Sequence, residues 1–407
     1  MRQASSDHVN RQSIDSSFCV NTRLYVFIYL EQNFIMRNVF FVFLLAFSKL
    51  IFAQQNHSHS FGRSIIFPDI PGYKTLRCDL HQHTVFSDGS VWPDIRVMEA
   101  LMDSLDAISL TEHLEYQPHK QDIPHTDRNR SYQIALKEAK DHGLVVIHGS
   151  EITRKEPLGH CNAIFITDAN KLLANDSIAA FREAKKQGAF IFWNHPSWPS
   201  QKKDRIAALT DVHKMLIKEK LLDGIEVAND QSYYDEALQI ALDNNLTILG
   251  TSDIHKLIDW DFNVAKGGHR PLTLVFAKEK NTESIREALF SRRTVVYYKN
   301  FLAGKDEFLV PLIQQSLIMK SASYMDKTDV LSVVIENKTN AEFILKNRTG
   351  FTFQNSSDIV TIKPGDKSRI EIKTKQRISN VKLGFEVLSA VNAPNIHPLV
   401  TWESRVE

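Results

Sequence analysis

Between Lys74 and Ala277 the chain alternates between two textures. Short apolar runs are followed by longer segments whose apolar residues recur every three or four positions, the spacing of one helix face. The runs 76–80, 107–110, 144–147, 162–166, 189–193, 224–227, 246–249 and 271–276 predict strands. The segments 93–105, 131–142, 176–187, 234–244 and 284–291 predict helices, with Pro93 at the start of the first and Gly143 and Gly188 stopping the second and third. The first helix is expected to bury Ile95, Met98, Leu101 and Met102 on one face. Strand–helix alternation predicts an α/β fold with a parallel sheet and helical crossovers, which an open sheet and a closed barrel satisfy equally. After about Asp306 the period changes to two. Ile370 and Ile372, and then Val381, Leu383, Phe385 and Val387, alternate with polar neighbours, and Pro364-Gly365-Asp366 is a turn signal. Residues 306–407 therefore predict a small antiparallel β-sandwich.

The 407 residues are enough for two or three domains. A hydrophobic fraction of 43% and a charged fraction of 24% are ordinary for a globular protein. The net charge of +1 gives no field for long nucleic acid or an anionic membrane. Lys185-Lys186 and Lys202-Lys203 accordingly read as solvated surface. Three cysteines make no disulfide framework, and Cys78 and Cys161 read as small buried apolar side chains.

Near the N-terminus, Met36-Arg37-Asn38, the apolar stretch Val39 to Phe47 and Ile51-Phe52-Ala53 read as a signal peptide over 36–53, cleaved before Gln54. Lys49 interrupts the run, which is shorter than the roughly 20 residues a membrane helix needs. Residues 1–35 read as an extension upstream of a true start at Met36, the alternative being a longer uncleaved anchor. Residues 54–73 form a lead-in. The expected location is periplasmic or secreted, with no stable membrane insertion after cleavage.

The chemistry sits where the strand-like runs end. His81, His83 and Asp88 follow the first run, His113 the second, Glu151 the third, His195 the fifth, and Asp253 and His255 the seventh, while His160 precedes the fourth. Imidazole and carboxylate are ligands for zinc, manganese and iron. One His-x-His pair is weak evidence, since two such residues on one strand face are often surface residues. Nine such side chains in order, each beside a strand end, point to a multinuclear metal site. Closure into a barrel is what brings so many strand ends together.

These residues carry a family resemblance. Asp79-Leu80-His81-Gln82-His83-Thr84 with Ser87-Asp88-Gly89, Thr111-Glu112-His113, Gly149-Ser150-Glu151 and Ser252-Asp253-Ile254-His255 resemble the successive motifs of the PHP (polymerase and histidinol phosphatase) superfamily. His160 and Asn194-His195-Pro196 fill the intervening ligand positions, and the resemblance runs from about Lys74 to Asn300. It implies a distorted seven-stranded β/α barrel over 74–305 holding two or three divalent metals. His81, His83, Glu151 and Asp253 would hold the first. Glu151 would bridge to a second held by His160 and His195. Asp88, His113 and His255 would hold a third, with an aspartate where some relatives have histidine. Glu151, Asp253 and His255 would be the residues at the centre of catalysis. Asp79 reads either as an acceptor that orients a metal-bound histidine or as half of a structural salt bridge.

Paired metals lower the pKa of a bridging water toward neutrality and so create a hydroxide nucleophile. They also neutralise charge developing on phosphoryl oxygens. The expected function is an exported metal-dependent phosphoesterase acting on a small phosphate ester, a phosphodiesterase before a histidinol-phosphatase-like monoesterase, with a nuclease third. Segment 115–120 and Ser90-Val91-Trp92-Pro93 most resemble exported bacterial phosphodiesterases of the superfamily. Tyr116, His119 and Lys120 are candidate substrate contacts on a mouth loop, the alternative being a solvated loop. Arg154 is a candidate phosphate clamp or an ordinary surface arginine. Trp193 and Trp198 flank His195, Trp193 reading as core. The reading of another class is a surface binding protein, with the barrel as a metal-stabilised scaffold.

Overall fold

The computed structural model describes residues 63–174 and 176–407. The upstream extension, the signal-like segment and the first part of the lead-in lie outside the described residues. The N-terminal half is a curled mixed sheet. Its strands are β1 (Lys74–Gln82), β2 (Ala107–Leu110), β3 (Val145–Ile152), β4 (Cys161–Ile164), β5 (Phe190–Trp193), β6 (Gly224–Asn229), β7 (Ser232–Tyr233), β8 (Thr247–Thr251), β9 (Leu272–Ala277), β10 (Thr294–Tyr298) and β11 (Phe301–Gly304). The C-terminal part contributes β12 (Leu317–Tyr324), β13 (Val330–Asn337), β14 (Phe343–Asn347), β15 (Thr352–Phe353), β16 (Ile359–Ile362), β17 (Lys367–Lys373), β18 (Asn380–Val387), β19 (Ala390–Val391) and β20 (Leu399–Arg405).

The large sheet runs β19-β11-β10-β9-β1-β2-β3-β4-β5-β6-β7, with β8 also paired to β6. It has 12 strands rather than the seven expected. The excess arises because β9 takes the free edge of β1 in antiparallel register and carries β10, β11 and β19 with it, and because the short β7 is added to β6. The sheet still curls into a barrel-like mouth. Past the end of β8, Ile254 bridges Gln82 at the end of β1. There the His83 amide donates to Ile254 O at 3.0 Å, and the Asp253 amide to His81 O at 2.9 Å.

The expectation of a parallel sheet holds for β1–β2–β3 and for β5–β6–β8. It fails at β4, which is antiparallel to both neighbours. The eight residues between Glu151 and His160 are too few for a helical crossover. This reversal puts His160, which precedes its strand, beside Glu151 near the end of the preceding one.

The first helix spans Pro93–Met102, and its buried face differs from the expected one. Val97 and Ala100 are buried, whereas Met98 and Met102 are 50% and 37% exposed. The reason is Arg96, which turns inward, pairs with Glu99 at 2.6 Å and donates to His83 O at 3.0 Å and Ile254 O at 3.3 Å. A buried guanidinium is tolerable only where such acceptors satisfy it, and here they lie beneath the metal-site loops.

The helices Asp211–Lys218 and Asp306–Ser316 are additional to those predicted. The second contains Pro311, which reads as a breaker, yet its residues Phe308, Leu309, Leu312 and Ile313 pack on one side into the core. That core is continuous with the sandwich, where Leu345, Ile370, Ile372, Leu383 and Phe385 belong to the same buried cluster. The sandwich has two sheets, β12-β13-β17-β15 and β16-β14-β18-β20. Its strand β18 alternates as expected, burying Val381, Leu383, Phe385 and Val387. The Pro364-Gly365-Asp366 turn joins β16 to β17, with Gly365 at φ +66°. Strand β19 leaves the sandwich to pair with β11, so the two parts share a sheet as well as a core.

Cys78 and Cys161 are buried free thiols. Lys186 is solvated, but Lys185 is not: it pairs with Asp223, donates to Ala189 O at 3.2 Å and lies over the Phe290 ring. Among the described residues no helix is long and apolar enough to cross a membrane.

Candidate metal centre

All nine ligand candidates meet in one place. Their ligand atoms fall into four overlapping groups, each within 4.8 Å: His83-Asp88-His113-His255, His81-His195-Asp253, His81-His83-Glu151 and His113-Glu151-His160. His81 comes from β1, Glu151 from β3 and His195 from the end of β5. His113 and Asp253 lie just past β2 and β8, His160 just before β4. His83 thus stands with the Asp88 set as well as with His81, and His195 groups with His81 and Asp253.

The atoms are arranged for cations. Asp253 Oδ1 lies 3.1 Å from His81 Nε2 and 3.2 Å from His83 Nε2. Glu151 Oε1 lies 3.0 Å from His160 Nδ1, and its other oxygen faces His113 Nδ1. Asp88 bridges to His113 Nε2 at 3.4 Å and His255 Nε2 at 3.2 Å. Glu151 Oε2, His160 Nδ1 and Asp88 Oδ1 are buried, and each faces another member of the cluster at ion-pair distance without well-formed hydrogen-bond geometry. Buried imidazoles and carboxylates that converge on one point in this way fit a bound cation better than they fit any packing role.

The backbone is shaped around the centre. His195 has φ +28° and Asp253 φ +51°, a region that side chains with a Cβ adopt at a cost of about 1–3 kcal/mol. The Ser-Asp-Gly motif has a steric reason. A Cβ on Gly89 would lie 2.7 Å from the backbone of His83 and Thr84, so only glycine lets the Asp88 loop lie against the His83 strand end.

Titration in the absence of metal reflects crowding of opposite charges. Burial alone would raise the Glu151 carboxyl, but His113 and His160 outweigh it and hold it well below the usual range. Burial opposes protonation of His113, yet Glu151 and Asp88 push it up to about 11. His81 is likewise pushed up to about 10 against its burial by Asp253 and Glu226, and His255 to about 9 by Asp88 and Asp253. His83 goes the other way, to about 3, through burial and the neighbouring His255.

Around the ligands stands a shell of fixed groups. His81 Nδ1 meets Glu226 Oε1 at 2.7 Å, and His83 Nδ1 meets Ser87 Oγ at 3.2 Å, the Ser87 hydroxyl in turn bonding Glu112. Asp79 resolves to the salt-bridge reading. It faces Arg270 at 3.1 Å and accepts from the Ser252 amide at 3.0 Å and hydroxyl at 2.6 Å, touching no imidazole. Glu226 and Arg96 carried no sequence signal, because a lone charged residue in an apolar strand or helix looks the same whether it supports a site or a surface.

The mouth above the ligands is a cavity of about 420 Å³, lined also by Trp198, Pro199, Arg205, Asn229, Asp230, Ser232 and Tyr234. Trp198 stands 5.3 Å from the His195 ring and 5.6 Å from His160, while Trp193 is buried against His213. Arg205 is the cation of this lining, and its guanidinium has no ion pair among the described residues. The expected substrate contacts fall elsewhere. Arg154 pairs with Glu115 and donates to Thr153 O at 3.0 Å. Tyr116 is half exposed with its ring 5.8 Å from His113, and none of Tyr116, His119, Lys120 or Arg154 lines the mouth.

Comparison with known proteins extends the picture. A family model described as an Ig-like domain matches residues 317–403. An uncharacterized protein of Methanocaldococcus jannaschii is 36% identical over 84 residues, which cover 20% of this chain and 36% of that protein. The chain is also similar to a lesion-specific endonuclease of Pyrococcus furiosus, at 17% identity over 61% of this chain and 62% of that one, with a TM-score of 0.40. A solved two-domain protein of Bacteroides vulgatus, described as containing a predicted PHP-like metal-dependent phosphoesterase, is 44% identical. The alignment covers 84% of this chain and 98% of that one, with a TM-score of 0.78. With that identity over nearly the whole of a two-domain relative, and nine candidate ligand side chains gathered at one mouth, the chain belongs to the PHP-like metal-dependent phosphoesterases.

Proposed function

We propose that this chain is an exported phosphodiesterase acting on a small phosphate diester. The observation that carries the catalytic part is the convergence of nine imidazole and carboxylate ligands beneath an open mouth. Divalent metals held there, zinc, manganese or iron, would supply an activated water at neutral pH and offset charge on the phosphoryl oxygens. Glu151, the carboxylate shared by two of the groups, would hold metals of both, and Asp253 and His255 line the mouth side. Trp198, Pro199 and Tyr234 form a wall for an ester group.

Preference for a diester is supported by charge. Apart from the ligands, the mouth offers the cation Arg205 and the carboxylate Asp230. A singly charged diester needs no more cations than this, whereas a doubly charged monoester is served better by several. Export is supported by the Met36–Ala53 pattern in the sequence and is tested by N-terminal sequencing of the mature protein after secretion.

The test of the activity is hydrolysis of a chromogenic phosphodiester against its matching monoester, with zinc and manganese supplied separately. A diester rate well above the monoester rate is the expected result. A monoester preference would move the reading to a phosphatase. Binding of metal with hydrolysis of neither would overturn the enzymatic reading and favour the metal-stabilised scaffold. Glu151→Gln should lower turnover by more than about 100-fold, beyond the loss typical of groups that only orient a ligand.

A further inference from the structure

Behind the ligands lies a carboxylate that touches no mouth and faces no solvent. Glu226, on β6, is completely buried. Its Oε1 accepts from His81 Nδ1 at 2.7 Å and from the Thr251 hydroxyl at 2.6 Å. Its Oε2 accepts from the His195 amide at 2.7 Å and from Asn229 Nδ2 at 2.8 Å. Four donors thus converge on one carboxylate. Two of them belong to ligands of the same group, His81 and His195, and Thr251 lies two residues before Asp253, the third member.

The consequence for His81 is a fixed tautomer. Its Nδ1–H donates to Glu226, so Nε2, which faces Asp253 and the centre, is the nitrogen a metal would take once its proton is displaced, and the carboxylate holds the ring in that orientation. The consequence for His195 is a held backbone, since the accepted amide belongs to the residue at φ +28°. The outer group is supported differently. His83 Nδ1 faces the Ser87 hydroxyl, His113 Nδ1 the Thr153 hydroxyl at 2.7 Å and the ligand Glu151, and His255 Nδ1 the Asp253 carbonyl at 2.8 Å. Among the described residues no carboxylate outside the candidate ligand set backs these rings directly. The outer group is also wetter: the side chains of Asp88 and His255 are 25% and 35% exposed, against 0% for His81 and 7% for His195.

We propose that Glu226 is a positioning residue that makes the inner metal position, on His81, His195 and Asp253, the tightly held one, while the outer position on Asp88, His113 and His255 exchanges readily. The proposal rests on the metal-centre reading and deepens it.

The test is a chelator time course on zinc-loaded full-length protein, read as zinc content by elemental analysis and not as activity. Wild-type protein should release zinc in two phases, one fast and one slow. Asp88→Asn should remove the fast phase and keep the slow one. Glu226→Gln puts an NH2 group opposite two donors, and should merge the slow phase into the fast one with affinity lower by on the order of 10–100-fold. Glu226→Asp keeps the charge on a shorter arm, should fall between the two, and carries the test should the Gln variant fail to fold. Thr251→Ala removes one donor and keeps the carboxylate, and should retain both phases. A slow phase unchanged in Glu226→Gln or Glu226→Asp, or a single phase in the wild type, would overturn the proposal. Wild-type protein that takes up none of zinc, manganese and iron would overturn the metal-centre reading itself, an outcome distinct from either.

Discussion

The Nε2 atoms of His81 and His83 face each other 3.0 Å apart, although the two residues are separated by only one position in β1 and its extension. Two ring nitrogens at that distance need a proton or a cation between them. A divalent metal satisfies both and Asp253 at once. Replacing His83 with Ala should therefore remove metal from both groups that include it. The expected result is a fall of at least one equivalent in bound zinc, with loss of phosphodiester hydrolysis that added zinc does not restore. Full zinc content in the variant would show that His83 is not a ligand.

Metal binding should release protons. In the metal-free protein the carboxylates of the cluster keep His81, His113 and His255 protonated, with pKa values near 10, 11 and 9. A metal needs their lone pairs and must displace those protons. At pH 7 the uptake of zinc should acidify a weakly buffered solution, and apparent affinity should rise as pH rises toward 9. Uptake without proton release would mean the imidazoles are already neutral.

Arg205 and Arg154 make opposite predictions. Arg205 lines the mouth and Arg154 is held by Glu115. A charged hydrogen bond to substrate is worth about 1.5–3 kcal/mol. Arg205→Ala should lower kcat/KM for a diester by roughly 10- to 100-fold. Arg154→Ala should leave it within about threefold, since Glu115 holds Arg154 outside the mouth lining. Equal losses in the two variants would place the phosphate between them.

Arg270 is fully buried between Asp79 at 3.1 Å and Asp103 at 2.7 Å. Arg270→Met would leave those carboxylates short of their partner, at a cost of about 3–5 kcal/mol. Because Asp79 also holds Ser252, the residue before Asp253, zinc content should fall together with the urea midpoint. A stable variant with unchanged zinc would show that the pair can be replaced by packing.

Stability should decline in acid through two histidines outside the centre. Burial lowers both His148, stacked on Tyr132, and His213, stacked on Trp193, to about 4. The unfolded chain takes up these protons near pH 6.5, so the native state binds fewer of them between 6.5 and 4. The contribution is fully present above 6.5 and is lost as pH falls through 4, up to about 3 kcal/mol for each residue. Equilibrium urea unfolding across that range should show the wild type losing more stability than a His148→Gln, His213→Gln double variant. Parallel pH profiles would show that neither ring is held neutral.

Residue type and local pattern were enough to mark the candidate ligands and the texture of both halves. Ligand chemistry is local: an imidazole or carboxylate beside an apolar run announces itself, and nine of them in order leave few alternatives. The sandwich strand Val381 to Val387 was equally legible, because a period of two reflects one buried face. Whatever depends on distant partners emerged only in the folded chain. Nothing near Glu226 in the chain shows that it lies under His81, 145 residues away. Nothing near Arg96 shows that it supports His83 and Ile254 rather than facing water, and so the helix turned Met98 outward. The contrast between Arg205 and Arg154 was hidden for the same reason, since Glu115, which captures Arg154, is 39 residues away. The extra strands at the edge of β1 and the excursion of β19 to β11 are likewise long-range pairings. Side-chain type and local period set the chemistry and the elements. Which buried charge meets which partner is fixed only when the strand ends close on one another.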